Sequence, residues 1–224
     1  MLRRLDGGRS EDQNWIMNWV HIQSVLPPLN QPGVAAPLAA AIRHADAMGL
    51  LPKQTAPVER LDLERLVRLL ASVRNAGIAR QPIADLPGQA ASPGRLADLL
   101  ELVDEALVES PSPQKEWPRC EDVLGSQLLS RLLDISESSL RRYRASRRET
   151  PDNVAGRLHF LALVISDLAG SYNDLGVRRW FDRPRPQLDG KTPAALLRGA
   201  WRPQDPGPST VRELAESLTA SPAT

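Results

Sequence analysis

Residues 152–169 read DNVAGRLHFLALVISDLA, and this stretch decides the fold. Its apolar residues Val154, Leu158, Phe160, Leu161, Leu163, Val164, Ile165 and Leu168 leave almost no polar face on a helix of 3.6 residues per turn. A helix with that little polar surface belongs at the centre of a bundle, with other helices laid round it. The composition agrees. Hydrophobic residues make up 42% of the 224 and aromatic ones only 4%, so the core is built mainly from Leu, Val and Ala. These favour helices, and few stretches show the alternation of strands. The predicted fold is all-α, with an N-terminal helical region followed by a C-terminal helical bundle. Twenty prolines cut the chain into short pieces.

Towards the N-terminus, Leu96, Leu99, Leu100, Val103 and Leu107 repeat at helical spacing, as do Leu63, Leu66, Val67, Leu70 and Val73 with Gly77 as a stop. A Pro- and Gly-rich loop runs from Pro82 to Pro93. Residues 35–48 are Ala-rich and helical in pattern, stopped by Gly49 and Pro52. Residues 1–34 read as an arm in which Trp15, Ile16, Trp19, Val20 and Ile22 form one short amphipathic helix, ended by Pro27, Pro28 and Pro32. Ser110-Pro111-Ser112-Pro113 reads as the start of a linker over 111–120. That divides the chain into a helical region of unassigned role at 35–110 and a second unit at 121–218, with a frayed tail at 219–224.

The second unit opens with a short apolar helix containing Leu124, Leu128, Leu129, Leu132 and Leu133, followed by Asp134-Ile135-Ser136 and a polar helix from about 137 to 145. This is the layout of a helix-turn-helix. Ile135 plugs the gap between the helices, Ser136 caps the second and Leu140 faces inward. Ser138, Ser139, Arg141, Arg142 and Arg144 are left outward, with Arg147 and Arg148 just beyond. The first residues of such a helix meet base edges in the major groove, and arginines suit phosphates. Residues 137–148 hold five arginines against one glutamate, although the chain as a whole carries only +1. The plainer alternative is a helical hairpin with a solvated basic face, and Asp134 stands where glycine is typical of DNA-binding turns.

Beyond the apolar helix come Leu175, Val177, Trp180 and Phe181 on a further helix, then Pro184-Arg185-Pro186, then Leu188-Asp189-Gly190-Lys191-Thr192-Pro193 and Leu196-Leu197 before Gly199. Thr192 is placed to cap a short helix with Pro193 at its first position. Thr210 and Glu213 have capping-box spacing for a last helix with Val211, Leu214 and Leu218. Over residues 121–218, roughly 100 of the 224, this order resembles the Xre/MbcA/ParS-type antitoxins that neutralise RES-domain toxins. Arg185 stands where that family has Asn before Pro186, and Asp189 replaces the first of two glycines. The Pro-rich link over 200–209 is longer than the family's.

The resemblance implies an antitoxin that blocks an NAD-degrading RES-type toxin with its C-terminal segment, forms a homodimer and, in some members, represses its own operon. Trp180, Phe181 and Trp201 are anchors of the kind that dominate interfaces, and Arg183, Arg185, Lys191, Arg198 and Arg202 suit an acidic or anion-binding cleft. Trp180 and Phe181 have core packing as their alternative role. A transcriptional regulator without a toxin partner is the rival function, and an adaptor that binds through its N-terminal helices is a weaker one.

No enzymatic activity, cofactor or metal is expected. His21, His44 and His159 are far apart in sequence and distant from Cys120, without metal-ligand spacing, and His159 reads as a core histidine. There is no phosphate-cradling glycine loop. Asp62, Glu64, Asp104 and Glu105 read as solvated faces. The single cysteine and the lack of an apolar h-region after Met1 suggest a cytoplasmic protein.

Overall fold

The computed structural model describes residues 20–53, 56–89 and 91–219. Eleven helices are present among them: α1 (Pro32–Ala47), α2 (Leu63–Asn75), α3 (Arg80–Asp85), α4 (Pro93–Val108), α5 (Pro113–Leu124), α6 (Ser126–Leu133), α7 (Glu137–Arg144), α8 (Asp152–Ala169), α9 (Asp174–Asp182), α10 (Pro193–Leu196) and α11 (Pro206–Thr219). Short 3-10 turns lie at Leu86–Gln89 and Pro186–Leu188. The fold is all-α. In place of strands, the described residues hold two isolated parallel bridges, Ile22 to Val58 and Val25 to Leu61. The chain is therefore extended at 22–25, and the helix expected to run through Val20 and Ile22 does not reach them. The rest of that expected helix, Trp15 to Trp19, lies outside the described residues, as does the tail from 220.

α8 is central, as its pattern requires: α1, α5, α6, α9 and α11 all pack on it. Its apolar residues are buried, together with Arg157, His159, Ser166 and Asp167. One continuous apolar core runs from Leu29 to Ala215. The expected boundary at 110 is thus not a boundary, because α1 packs on both α4 and α8.

The expected linker at 111–120 is corrected as well: it is most of α5. Pro113 sits at the helix's first turn, where no N–H is needed, so it starts the helix rather than preventing it. Trp117, Cys120, Val123 and Leu124 are buried on its inner face. Trp117 stacks on Tyr143 at 5.8 Å between centroids, and its indole N–H donates to Thr150 Oγ1 at 2.9 Å. Leu124, read as the start of the next helix, closes this one. Gly125, with φ 76°, breaks the chain between α5 and α6. The loop from 82 to 93 contains most of α3 and a 3-10 turn. The capping box at Thr210 does not form, because α11 begins earlier, at Pro206. Thr210 lies inside the helix and donates its hydroxyl back to the Pro206 carbonyl at 2.9 Å.

Buried polar pairs tie the N-terminal helices to the rest. Asp46 of α1 accepts from Arg119 of α5 at 3.1 Å. His44 of α1 lies 2.6 Å from Asp104 of α4 and 3.9 Å from Asp167 of α8. Asp167 also accepts from Arg212 of α11 at 2.8 Å. Asp104, expected on a solvated face, thus faces a buried histidine.

Burial pushes the Asp46 carboxyl from its ordinary 3.8 up to about 6, with Arg119 pulling it part of the way back. Burial opposes a charged His44, but the Asp104 and Asp167 carboxylates outweigh it and raise its pKa above 6.5. Both shifts act in the same direction. A raised carboxyl makes the folded state hold its proton longer, so stability falls as pH rises from about 4 to 6. The shift at Asp46 corresponds to roughly 2–3 kcal/mol. The stabilisation from His44 is complete below 6.5 and is lost as pH rises through its raised value. Urea midpoints should therefore fall between pH 5 and 8, and His44→Gln should shrink the part of that fall above 6.5. A midpoint that rises over this range would count against both assignments.

Candidate functional site

α6 buries Leu128, Leu129, Leu132 and Leu133 against the core. It ends on Asp134, which takes the left-handed conformation with φ 54° and ψ 49°. The Ile135 N–H then donates to the Ser130 carbonyl at 3.1 Å and the Asp134 N–H to the Arg131 carbonyl at 3.4 Å, closing the helix end as a Schellman motif does. Ile135 packs against the core. Ser136 caps α7, its hydroxyl accepting from the Ser139 N–H at 3.2 Å. Leu140 and Tyr143 face inward.

These contacts leave one face of α7 in solvent. Ser138, Arg141, Arg142, Arg144, Arg147 and Arg148 are exposed and Ser139 is half-buried. Arg144 pairs with Glu121 at 2.8 Å, and the Arg148 guanidinium lies 5.7 Å over the Tyr143 ring. The other arginines project freely enough to meet a polyanion.

The expected partner-contact residues divide into two groups. Trp180 and Phe181 meet edge to face at 5.2 Å and are buried, at 1% and 0% exposed. Trp201 is 5% exposed. Its indole N–H donates to the Leu132 carbonyl at 2.9 Å, and its ring stands edge-on to Phe160 at 5.2 Å. Trp180 and Trp201 are therefore core residues and offer a partner no face in this conformation; for Trp180 this is the core packing set beside its interface role, and for Trp201 it corrects the expected partner contact. The cations are placed differently. Arg183, Lys191, Arg198 and Arg202 are exposed, and Arg185 is half-buried with its guanidinium 5.5 Å over the Trp180 ring.

The loop that carries several of them is tightly closed. The Arg185 N–H donates to the Lys191 carbonyl and the Gly190 N–H to the Arg185 carbonyl, each at 3.0 Å. Asp189 and Gly190 are both left-handed, with φ of 53° and 75°. Thr192 caps α10 through the Ala195 N–H at 3.1 Å, as its position implied. The link expected over 200–209 is shorter in practice, since Pro206 and Pro208 fall in the first turn of α11.

Sequence reasoning missed Arg157. This α8 side chain is 6% exposed. It donates to the Leu133 carbonyl at 3.0 Å and the Trp201 carbonyl at 2.7 Å, with its guanidinium 5.4 Å over the Trp201 ring. It thereby ties the end of α6 to the link before α11. The only local sign was a cation inside an otherwise apolar helix. His159, read as a core histidine, is buried and held between Glu116 Oε1 at 2.6 Å and the Val108 carbonyl at 2.8 Å. Among the described residues no group of three or more His, Cys, Asp or Glu side chains could hold a metal ion, and no single helix is long and apolar enough to cross a membrane. No protein family, curated protein or solved structure matches this chain.

Proposed function

We propose that this chain is an antitoxin that neutralises a RES-type, NAD-degrading toxin through its C-terminal segment, with α7 as a DNA-binding helix. The observation that supports the reading best concerns two turn positions. Asp134 stands where DNA-binding turns typically have glycine and Asp189 where the resembled family has it, and both adopt the left-handed backbone that glycine ordinarily serves. Asp is among the few other residues that take that conformation readily. Both residues therefore take the turn conformation that a glycine at the same position would take. Arg183, Lys191 and Arg202 are then the exposed cations offered to the toxin, while the Trp180 and Trp201 side chains stay in the core.

The experiment is co-expression of the full chain with the product of the gene beside its own, which this reading requires to be a RES-type toxin. Rescue of growth and copurification of the two proteins are expected, and continued toxicity without copurification would refute the antitoxin reading. The full chain is needed because α1 packs on α8 and α4 covers α1, so a fragment from 111 onward would expose apolar surface.

A second reading, a DNA-binding regulator without a toxin partner, draws on the exposed arginines of α7. Both readings give the same expectation for DNA. The double variant Arg141→Ala, Arg142→Ala should weaken retention of a duplex from the upstream region of the gene by ten-fold or more. It should also flatten the dependence of affinity on salt by about two phosphate contacts. Unchanged anisotropy titrations would remove α7 from the account.

A further inference from the structure

The sequence separates Arg198 from the α6–α7 turn by more than sixty residues, and the fold brings them together. Arg131, Asp134 and Ser136 share one surface depression of about 530 Å³ with Arg198 and Gly199. The approach is built in. Trp201, three residues after Arg198, donates to the Leu132 carbonyl, and Arg157 joins the Leu133 and Trp201 carbonyls. Gly199, with φ 68°, turns the backbone between Arg198 and that clamp. Arg131 is engaged with Asp182 at 2.6 Å and Arg144 with Glu121 at 2.8 Å. Arg198 is exposed, and no ion pair holds it among the described residues.

We infer that Arg198 is a phosphate-contacting residue of the DNA face, placed at the amino-terminal end of α7 and held there by the Arg157–Trp201 clamp. The inference rests on the DNA-binding reading of α7 given above. α7 has eight residues, so it is about 12 Å long at the usual rise, and a major groove is about 12 Å wide. A helix of that length lets Ser138 and Ser139 meet base edges while the turn just before it lies towards one phosphate ridge and the residues just beyond it towards the other. Arg147 and Arg148 serve the ridge beyond the carboxyl end of α7, and α7 itself has no cation in its first turn, where Glu137 and Ser138 stand. Arg198 fills that gap from another part of the chain. It thereby moves from the toxin surface, where the resemblance put it, to the nucleic-acid surface.

The test is fluorescence anisotropy of the full chain with two labelled duplexes, one from the upstream region of the gene and one of random sequence, across a salt series. Arg198→Ala should weaken binding several-fold on both duplexes alike and reduce the salt slope by about one phosphate, near 0.9. Arg198→Lys should keep most of that slope, and Arg95→Ala, which removes an exposed cation of α4, should leave it unchanged. A slope unaffected by Arg198→Ala while Arg141→Ala, Arg142→Ala flattens it overturns this inference and leaves the DNA reading standing. An equal loss in Arg95→Ala overturns it too, because net charge alone would then explain the effect. If the unaltered chain binds neither duplex, the DNA reading itself fails and takes this inference with it. Arg198 is exposed, so its substitution does not put folding at risk.

Discussion

Replacing Trp201 with alanine should lower the stability of the folded chain by about 3–5 kcal/mol, the range for removing a large aromatic side chain from a core. The ring is 5% exposed and packs edge-on against Phe160, so its loss leaves a cavity beside α8. The variant also strips the Leu132 carbonyl of its indole donor and Arg157 of the ring beneath its guanidinium. Trp201→Phe keeps much of the volume and loses the donor, and should cost about 1–3 kcal/mol for the buried carbonyl left without a partner. Urea unfolding read by circular dichroism measures both. A residue whose role is to touch a partner would change stability by no more than about 0.5 kcal/mol. A shift that small would return Trp201 to the partner surface.

Glu116→Ala carries the second large effect. Glu116 is 0% exposed and its partner His159 is buried across the α5–α8 contact. Removing one member of a buried, hydrogen-bonded pair leaves the other uncompensated, at about 3–5 kcal/mol. The double variant Glu116→Leu, His159→Leu should recover most of that loss, since a well-packed apolar pair often replaces a buried polar one at little net cost. The recovery should be incomplete, because the Val108 carbonyl loses the donor it has in His159. If the single and double variants are equally unstable, the pair does not account for the effect, and the volume of the side chains does.

The parts of this fold that the sequence made legible are those with local signals. α8 declared itself by apolar residues on every face, and α2 and α4 by single apolar stripes. The caps at Ser136 and Thr192 could be read because capping needs only a hydroxyl and an amide three residues on. Prolines caused the main errors. At Pro113, Pro206 and Pro208 they look like linker residues, yet each occupies a first helical turn where its missing N–H does no harm. The capping-box spacing at Thr210 was misleading for a related reason. With the helix already begun at Pro206, that hydroxyl has a carbonyl one turn back to bond instead.

The candidate site was partly legible. The exposed arginines of α7 follow from inward Leu140 and Tyr143 by helical period alone. The burial of Trp201 did not follow, because nothing in a Pro-rich stretch says whether an aromatic turns inward or outward. The buried pairs were out of reach for a similar reason. His44 and Asp104 are 60 residues apart, and Glu116 and His159 are 43 apart, so only the packing of whole helices brings them together. The approach of Arg198 to the α6–α7 turn belongs to the same class.

The proposed antitoxin role requires that this chain disarm an NAD-degrading enzyme by direct contact. The most direct measurement is NAD hydrolysis by the purified RES-type toxin, titrated with the full chain. Activity should fall in proportion to added chain and vanish at a fixed stoichiometry. Replacing Arg183, Lys191 and Arg202 together with alanine should shift that endpoint to higher concentrations without altering the fold. Full NAD hydrolysis in the presence of a large excess of folded chain would contradict that role.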